Sequence, residues 1–271
     1  ILKKFSNLRN RGEGALIAYL TAGYPTLEHT PKIAHTLVSG GADIIELGIP
    51  FSDPIADGPI IQSAMNRALK LGTTPLKVLK MAEDVKEEND VPILILTYYN
   101  PIFKMGLRRF FETARGCGVD GVIVPDLPIE EAGEYKKVAE DNMIDTIFLA
   151  TPSTTVDRLK AILEYTSGFL YLVSVHGVTG VRPRVQDTTI ELVKRIVAMA
   201  SGKIPVAVGF GVSKPEHVSI LIGGGADGVI VGSVFMKMVE ENMCDEERML
   251  KMLKDYVMEL KKATRAKCFH R

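Results

Sequence analysis

Short apolar runs rich in β-branched residues recur eight times along the chain, at residues 15–20, 44–47, 92–96, 122–124, 146–149, 169–174, 205–208 and 229–231. Each run is continuous, from ALIAYL in the first to VIV in the last. A strand buried on one face alternates apolar and polar residues. A strand covered on both faces, as in a parallel sheet under helices, reads like these. The segments between the runs have helical period. Leu76, Val78, Leu79 and Met81 supply an apolar face ahead of the charge cluster at 84–89. Thr155 is a candidate cap for a helix carrying Val156, Leu159, Ile162 and Leu163 on one face. Met249, Leu250, Leu253, Tyr256, Val257 and Leu260 form a stripe that predicts a long C-terminal helix, packed on the outside. The basic tail, residues 261–271, reads as frayed.

Eight β-then-α units in a chain of this length predict an α/β fold. The expectation is a single (β/α)8 TIM barrel spanning residues 1–271, with additional N- and C-terminal helices. An open doubly wound sheet is the alternative, but no glycine-rich dinucleotide turn follows the first run. A weak internal echo accompanies the units. Gly41-Ala42-Asp43, Gly118-Val119-Asp120 and Gly225-Ala226-Asp227 each sit just before a run. Glycine ending the preceding helix and a short polar residue making the turn account for it.

Composition narrows the function classes. Lys+Arg and Asp+Glu both number 33, so the basic excess of a nucleic-acid binder is missing. With 46% hydrophobic residues the chain is too apolar for a disordered one. It has no apolar run of the roughly 20 residues that a membrane span needs. The stretch ILKKFSNLRNRGEG lacks the apolar core of a signal peptide. Cys117, Cys244 and Cys268 are odd in number and widely spaced, so a reducing cytoplasm is the expected setting.

In such a barrel, chemistry sits at the C-terminal ends of the strands. The second run carries Glu46 between Ile45 and Leu47, an apolar setting that would raise its pKa and suit it to acid and base work near neutrality. A glutamate satisfied by a neighbour, or facing solvent, is the alternative. Asp53 and Asp57 follow in a loop stiffened by Pro50, Pro54 and Pro59, although loop aspartates are usually turn formers. The sixth run leads into His176-Gly177-Val178-Thr179-Gly180, which reads as a lid or as an ordinary surface loop. His176 has no visible partner and ranks below Glu46. The seventh and eighth runs end in Gly209-Phe210-Gly211-Val212-Ser213 and Gly232-Ser233. There, backbone N–H groups and a helix N-terminus can meet an anion, the common phosphate site of these barrels. No lysine stands where it would clearly form a Schiff base, no cluster has metal-ligand spacing, and there is no P-loop. Carbon–carbon chemistry here would run on carboxylates and on the substrate's own electronics.

The stretch ELGIPFSDPIADGPIIQ, from Glu46 to Gln62, resembles the signature of the tryptophan synthase alpha subunit family. The likeness continues in Tyr19-Leu20-Thr21-Ala22-Gly23-Tyr24-Pro25, Thr97-Tyr98-Tyr99-Asn100-Pro101, Val124-Pro125-Asp126-Leu127-Pro128, Gly177-Val178-Thr179-Gly180, Gly209-Phe210-Gly211-Val212 and Gly232-Ser233. It covers nearly the whole chain in order. The resemblance implies a retro-aldol cleavage of indole-3-glycerol phosphate to indole and glyceraldehyde 3-phosphate. By it, Glu46 is the acid and base at indole C3, and Asp57 accepts the indole N–H. Mutual repulsion then helps keep Glu46 protonated while Asp57 stays ionised. Tyr19, Leu96, Tyr98 and Phe210 would wall the indole pocket. Tyr171 would lie near the glycerol phosphate, and Thr179 would contact the aspartate on lid closure. Gly180, Gly211, Gly232 and Ser233 would hold the phosphate. Tyr19 stands where many relatives have phenylalanine, so its hydroxyl needs a partner if buried. His176, Arg182 and Arg184 take no role from the family. The resemblance also implies a beta-subunit partner in an alpha2-beta2 complex, met through Pro50, Asp53, Pro54, Asn100 and Pro101. Pyridoxal phosphate would belong to that partner, with no cofactor and no metal in this chain. Two other readings stand beside it: a different barrel enzyme with a phosphate site, and a non-catalytic activator of a beta subunit.

Overall fold

The apolar runs become parallel strands buried on both faces. The computed structural model describes residues 1–173, 187–200, 202–209 and 211–265. Chain order begins with α1 (Leu2–Asn10), β1 (Ala15–Thr21), α2 (His29–Ser39), β2 (Ile44–Gly48), α3 (Pro59–Lys70) and α4 (Pro75–Glu88). It continues with β3 (Ile93–Leu96), α5 (Tyr99–Met105), α6 (Leu107–Gly116), β4 (Gly121–Ile123), α7 (Gly133–Asp141), β5 (Asp145–Ile147), β6 (Leu149–Ala150) and α8 (Val156–Tyr165). It ends with β7 (Leu170–Val173), α9 (Asp187–Ala200), β8 (Val206–Gly209), α10 (Pro215–Gly223), β9 (Gly228–Val231), α11 (Ser233–Asn242) and α12 (Glu246–Ala263).

All strand pairs are parallel, in the order β5-β4-β3-β2-β1-β9-β8-β7-β6. Only Phe148 separates the two ends of that order, so the ring closes there into a TIM barrel. The Tyr171 N–H donates to the Phe148 carbonyl at 3.0 Å, carrying the ladder across the gap. The run at 146–149, expected as one strand, is thus split in two. The Phe148 ring lies edge-on between Tyr135 of α7 and Tyr165 of α8, 6.2 and 6.0 Å away. Helix α1 precedes the first strand and α12 follows the last unit, as the additional terminal helices require.

The helical stripes fold largely as their spacing predicts. Thr155 caps α8 by accepting the Arg158 N–H, and α12 buries Met249, Leu253, Val257 and Leu260. Two apolar positions differ. Leu76 and Val156 are exposed, because each lies in the first turn of its helix on the solvent side. The tail also differs from its expected frayed state over residues 261–263, which belong to α12. Lys261 is nearly buried. Its ammonium donates to Asp43 at 2.8 Å and to the Gly14 carbonyl at 3.2 Å, and pairs with Glu13 at 3.1 Å.

The three-residue echo has a structural meaning beyond its glycines. Gly41, Gly118 and Gly225 have φ of +114°, +74° and +103°, the left-handed turn that ends each helix. Each aspartate then brackets the start of a neighbouring strand. Asp43 Oδ2 accepts the Leu16 N–H at 2.8 Å, Asp120 Oδ2 accepts that of Ile93 at 2.8 Å, and Asp227 Oδ2 accepts that of Val206 at 2.9 Å. Each carboxylate also meets a cation, respectively Lys261, Lys86 and Arg9.

Candidate active site

Register decides what faces the barrel interior. Tyr19 of β1 pairs with Glu46 of β2, which pairs with Leu94 of β3, so the three point the same way. The rings of two buried tyrosines, Tyr19 of this layer and Tyr171 of β7, reach towards the strand ends, and glycines make room for them. A Cβ at Gly48 would collide with the Tyr19 hydroxyl, and one at Gly209 with that of Tyr171. The Tyr19 hydroxyl finds its partner in Thr21 Oγ1 at 3.2 Å, which answers the need its burial creates.

Glu46 is 1% exposed, and neither carboxylate oxygen has a hydrogen-bond partner among the described residues. Burial, then the charge of Asp57, pushes its pKa up to about 8. A carboxyl so placed is neutral at pH 7 and holds a transferable proton. Asp57 is buried too, and burial raises its pKa to about 6 against the pull of a Tyr98 hydrogen bond. The Tyr98 hydroxyl donates to Asp57 Oδ2 at 2.6 Å and accepts the Ala56 N–H at 3.0 Å. Gln62, from α3, donates to the Asp57 carbonyl at 2.8 Å. Phe51 packs on the Tyr98 ring with centroids 5.2 Å apart. The loop is therefore held from three sides. Burial, and after it the charges of Glu46 and Asp57, push the Tyr171 phenol well above its usual range. Burial followed by Asp57 does the same to Tyr19. Glu46, Asp57, Tyr98, Tyr171 and Tyr19 meet at the C-terminal mouth of the barrel.

Leu96 pairs with Gly48 beside this mouth. Gly211 follows β8 with φ of +82°, and Gly232 caps α11, whose first residue is Ser233. Since β8 and β9 are neighbours, the two turns adjoin. Thr179, Gly180 and Phe210 lie outside the described residues, as do His176, Arg182 and Arg184. Of the residues expected at a partner surface, Asp53 and Asn100 are exposed, Pro54 and Pro101 half-buried and Pro50 buried. Ile55, on the loop of Asp53 and Pro54, and Phe103, on α5 with Asn100 and Pro101, expose large apolar side chains at 74% and 68%. Sequence reasoning missed the clamping by Tyr98 and Gln62. Gln62 ends the recognised block, but the pairing crosses 41 residues between Asp57 and Tyr98 and has no local pattern. Among the described residues, no group of three or more His, Cys, Asp or Glu could hold a metal, and no helix could cross a membrane.

Comparison with known proteins gives this geometry its relatives. The family model described as tryptophan synthase alpha chain matches residues 5–265. The chain belongs to that family. It is 47% identical over 260 residues to the tryptophan synthase alpha chain of Methanothermobacter thermautotrophicus, covering 96% of each chain. It is 48% identical to that of Methanopyrus kandleri, covering 93% of this chain and 92% of the relative. Among solved structures, the alpha chain from Legionella pneumophila superposes with a TM-score of 0.88 at 33% identity, covering 97% and 95%. A chain of the tryptophan synthase complex from Pyrococcus furiosus superposes at 0.83 with 42% identity, covering 92% and 98%. Membership sets aside the reading as a different phosphate-site barrel.

Proposed function

We propose that this chain cleaves indole-3-glycerol phosphate to indole and glyceraldehyde 3-phosphate, as one barrel domain over residues 1–271. The observation that carries the reading is Glu46: a buried carboxyl, unpartnered among the described residues, neutral at pH 7 and within the field of a second carboxylate. The neutral Glu46 donates its proton to indole C3, making a cationic indolenine. Asp57, ionised above about pH 6, accepts the ring N–H and stabilises that charge. The Glu46 carboxylate then takes the proton of the adjacent glycerol hydroxyl. The carbon–carbon bond breaks, its electron pair restores the indole, and the new carbonyl belongs to glyceraldehyde 3-phosphate. Glu46 ends protonated, as it began. Tyr19, Leu96 and Tyr98, with Phe210, wall the indole, and Tyr171 lies beside the glycerol. Gly211, Gly232 and Ser233, with Gly180, hold the phosphate, and Thr179 completes the substrate-binding set.

The partner in this reading is a beta subunit carrying pyridoxal phosphate, and this chain needs no cofactor of its own. Asp53, Pro54, Asn100 and Pro101 offer the surface, with Ile55 and Phe103 as its apolar centre and Pro50 shaping the loop from beneath. An exposed apolar pair beside a catalytic loop suits a partner that also steadies the loop. The test is indole release from indole-3-glycerol phosphate, with and without added beta subunit. Release that the partner stimulates is expected. No indole under either condition overturns the reading.

Two further outcomes follow from the carboxylates. The rate needs Glu46 protonated and Asp57 ionised, so kcat/KM is expected to be bell-shaped, rising near pH 6 and falling near pH 8. A profile flat from pH 5 to 9 contradicts the assignment. Tyr98→Phe removes the hydrogen bond that holds the Asp57 pKa down. Its acid limb is expected to move to higher pH, with kcat/KM lowered about tenfold. An unmoved acid limb in that variant means that another group titrates there.

A further inference from the structure

We propose that His217 and Tyr256 are positioning residues that hold the turn at 211–213 in shape for the substrate's phosphate. The inference rests on the reading of the β8 and β9 ends as the phosphate site. Ser213 is the pivot. Its N–H donates to Nδ1 of His217, in α10, at 3.4 Å. Its carbonyl accepts the hydroxyl of Tyr256, in α12. Both backbone groups of one turn residue are thus taken by side chains from two different helices, with no strand ladder involved. Just before it, the N–H groups of Gly211 and Val212 make no hydrogen bond among the described residues. They remain available to an anion beside the N-terminus of α11.

The polarity of this support is what separates positioning from packing. His217 is 3% exposed and Ser213 is 4% exposed. Because Nδ1 accepts, the ring is the neutral tautomer with its proton on Nε2. That Nε2 and the Ser213 hydroxyl are both buried without a partner among the described residues. Burying unpartnered polar groups is unfavourable, and a leucine at 217 would fill the space without that penalty. The imidazole supplies an acceptor at one defined point, which fixes the direction of the Ser213 peptide and hence of the two peptides before it. Tyr256 fixes the other end and ties the C-terminal helix to the substrate's phosphate.

The experiment measures binding of glycerol 3-phosphate and of inorganic phosphate to the full chain by calorimetry, together with KM and kcat for cleavage. The variants are His217→Leu, His217→Asn and Tyr256→Phe. Asparagine places Oδ1 where the imidazole has Nδ1, so it keeps the acceptor. His217→Leu and Tyr256→Phe are expected to weaken phosphate binding and raise KM about tenfold, with kcat changed less than twofold. His217→Asn is expected to stay within about twofold of the parent protein. Loss of melting temperature with unchanged KM in both Tyr256→Phe and His217→Leu overturns the proposal in favour of plain packing. If His217→Leu fails to fold, Tyr256→Phe and His217→Asn decide the matter. If the parent protein binds neither glycerol 3-phosphate nor phosphate, the phosphate reading itself falls.

Discussion

Replacing Glu46 with glutamine is expected to lower indole release about a thousandfold and, at the same time, to make the fold more stable. The loss follows from removing the only proton donor and acceptor that the mechanism uses at C3. The gain follows from linkage. The folded chain holds the Glu46 proton up to about pH 8, whereas a carboxyl in an unfolded chain releases it near its ordinary value of 4.5. The favourable contribution of Glu46 is therefore full below about pH 4.5, is lost as the pH rises towards 8, and is level beyond. Glutamine carries no such dependence. At pH 7 the variant is expected to gain on the order of 2 kcal/mol after the cost of burying its amide. Urea unfolding at pH 5 and pH 8 checks this, because the gain must be larger at the higher pH. A gain that ignores pH means that Glu46 is not held as a buried acid. Cleavage that survives the substitution means that the mechanism is wrong.

The second large effect lies at the other end of the barrel. Lys261→Ala is expected to destabilise the protein by about 3 kcal/mol and to lower its melting midpoint by roughly 8 °C. The ammonium serves Asp43, Glu13 and the Gly14 carbonyl together, and both carboxylates are only one-eighth exposed. Burial opposes it, yet Lys261 and Arg265 hold the Glu13 carboxyl below its usual range. Without the lysine, two nearly buried anions are left, among the described residues, with Arg265 beside Glu13 and the charge of Lys4 acting on Asp43. Removing one partner of such a cluster is worse than never having had it. The stability that Glu13 contributes is present above its ordinary value and is lost as the pH falls through its folded value. The difference between the two proteins should therefore narrow in acid. A variant that melts with the parent protein would show the cluster to be well solvated. Indole release per folded molecule is expected to be unchanged, since this cluster and the reaction occupy opposite ends of the strands.

These two residues also mark what a sequence can disclose. Glu46 is legible because a charge inside IIELG is costly unless it is paired, solvated or functional. The continuous strands are legible too, since burial on both faces leaves a local imprint. Lys261 is not legible. It sits in a basic tail, and its partners Glu13 and Asp43 are some 250 and 218 residues away along the chain. The Tyr98 bond to Asp57 is hidden in the same way. Each tyrosine in the strands reads as apolar bulk until the fold shows where its hydroxyl ends. The split of the fifth strand at Phe148 is invisible too, because TIFL is as apolar as its neighbours and only the tyrosines of α7 and α8 draw the ring outward.

The aspartates of the three-residue echo have a consequence for error. A parallel strand that slips by one residue turns its inward side chains outward, and in this barrel such a slip would expel Glu46 from the interior. Nothing in a run of Ile, Leu and Val resists slippage by itself, because every position is equally greasy. Asp43, Asp120 and Asp227 make the positions unequal, since each carboxylate fits one amide and no other. They act as index marks at the closed end of the strands. Alignment is thereby set where no substrate reaches, and the open end is left free to trade rigidity for chemistry.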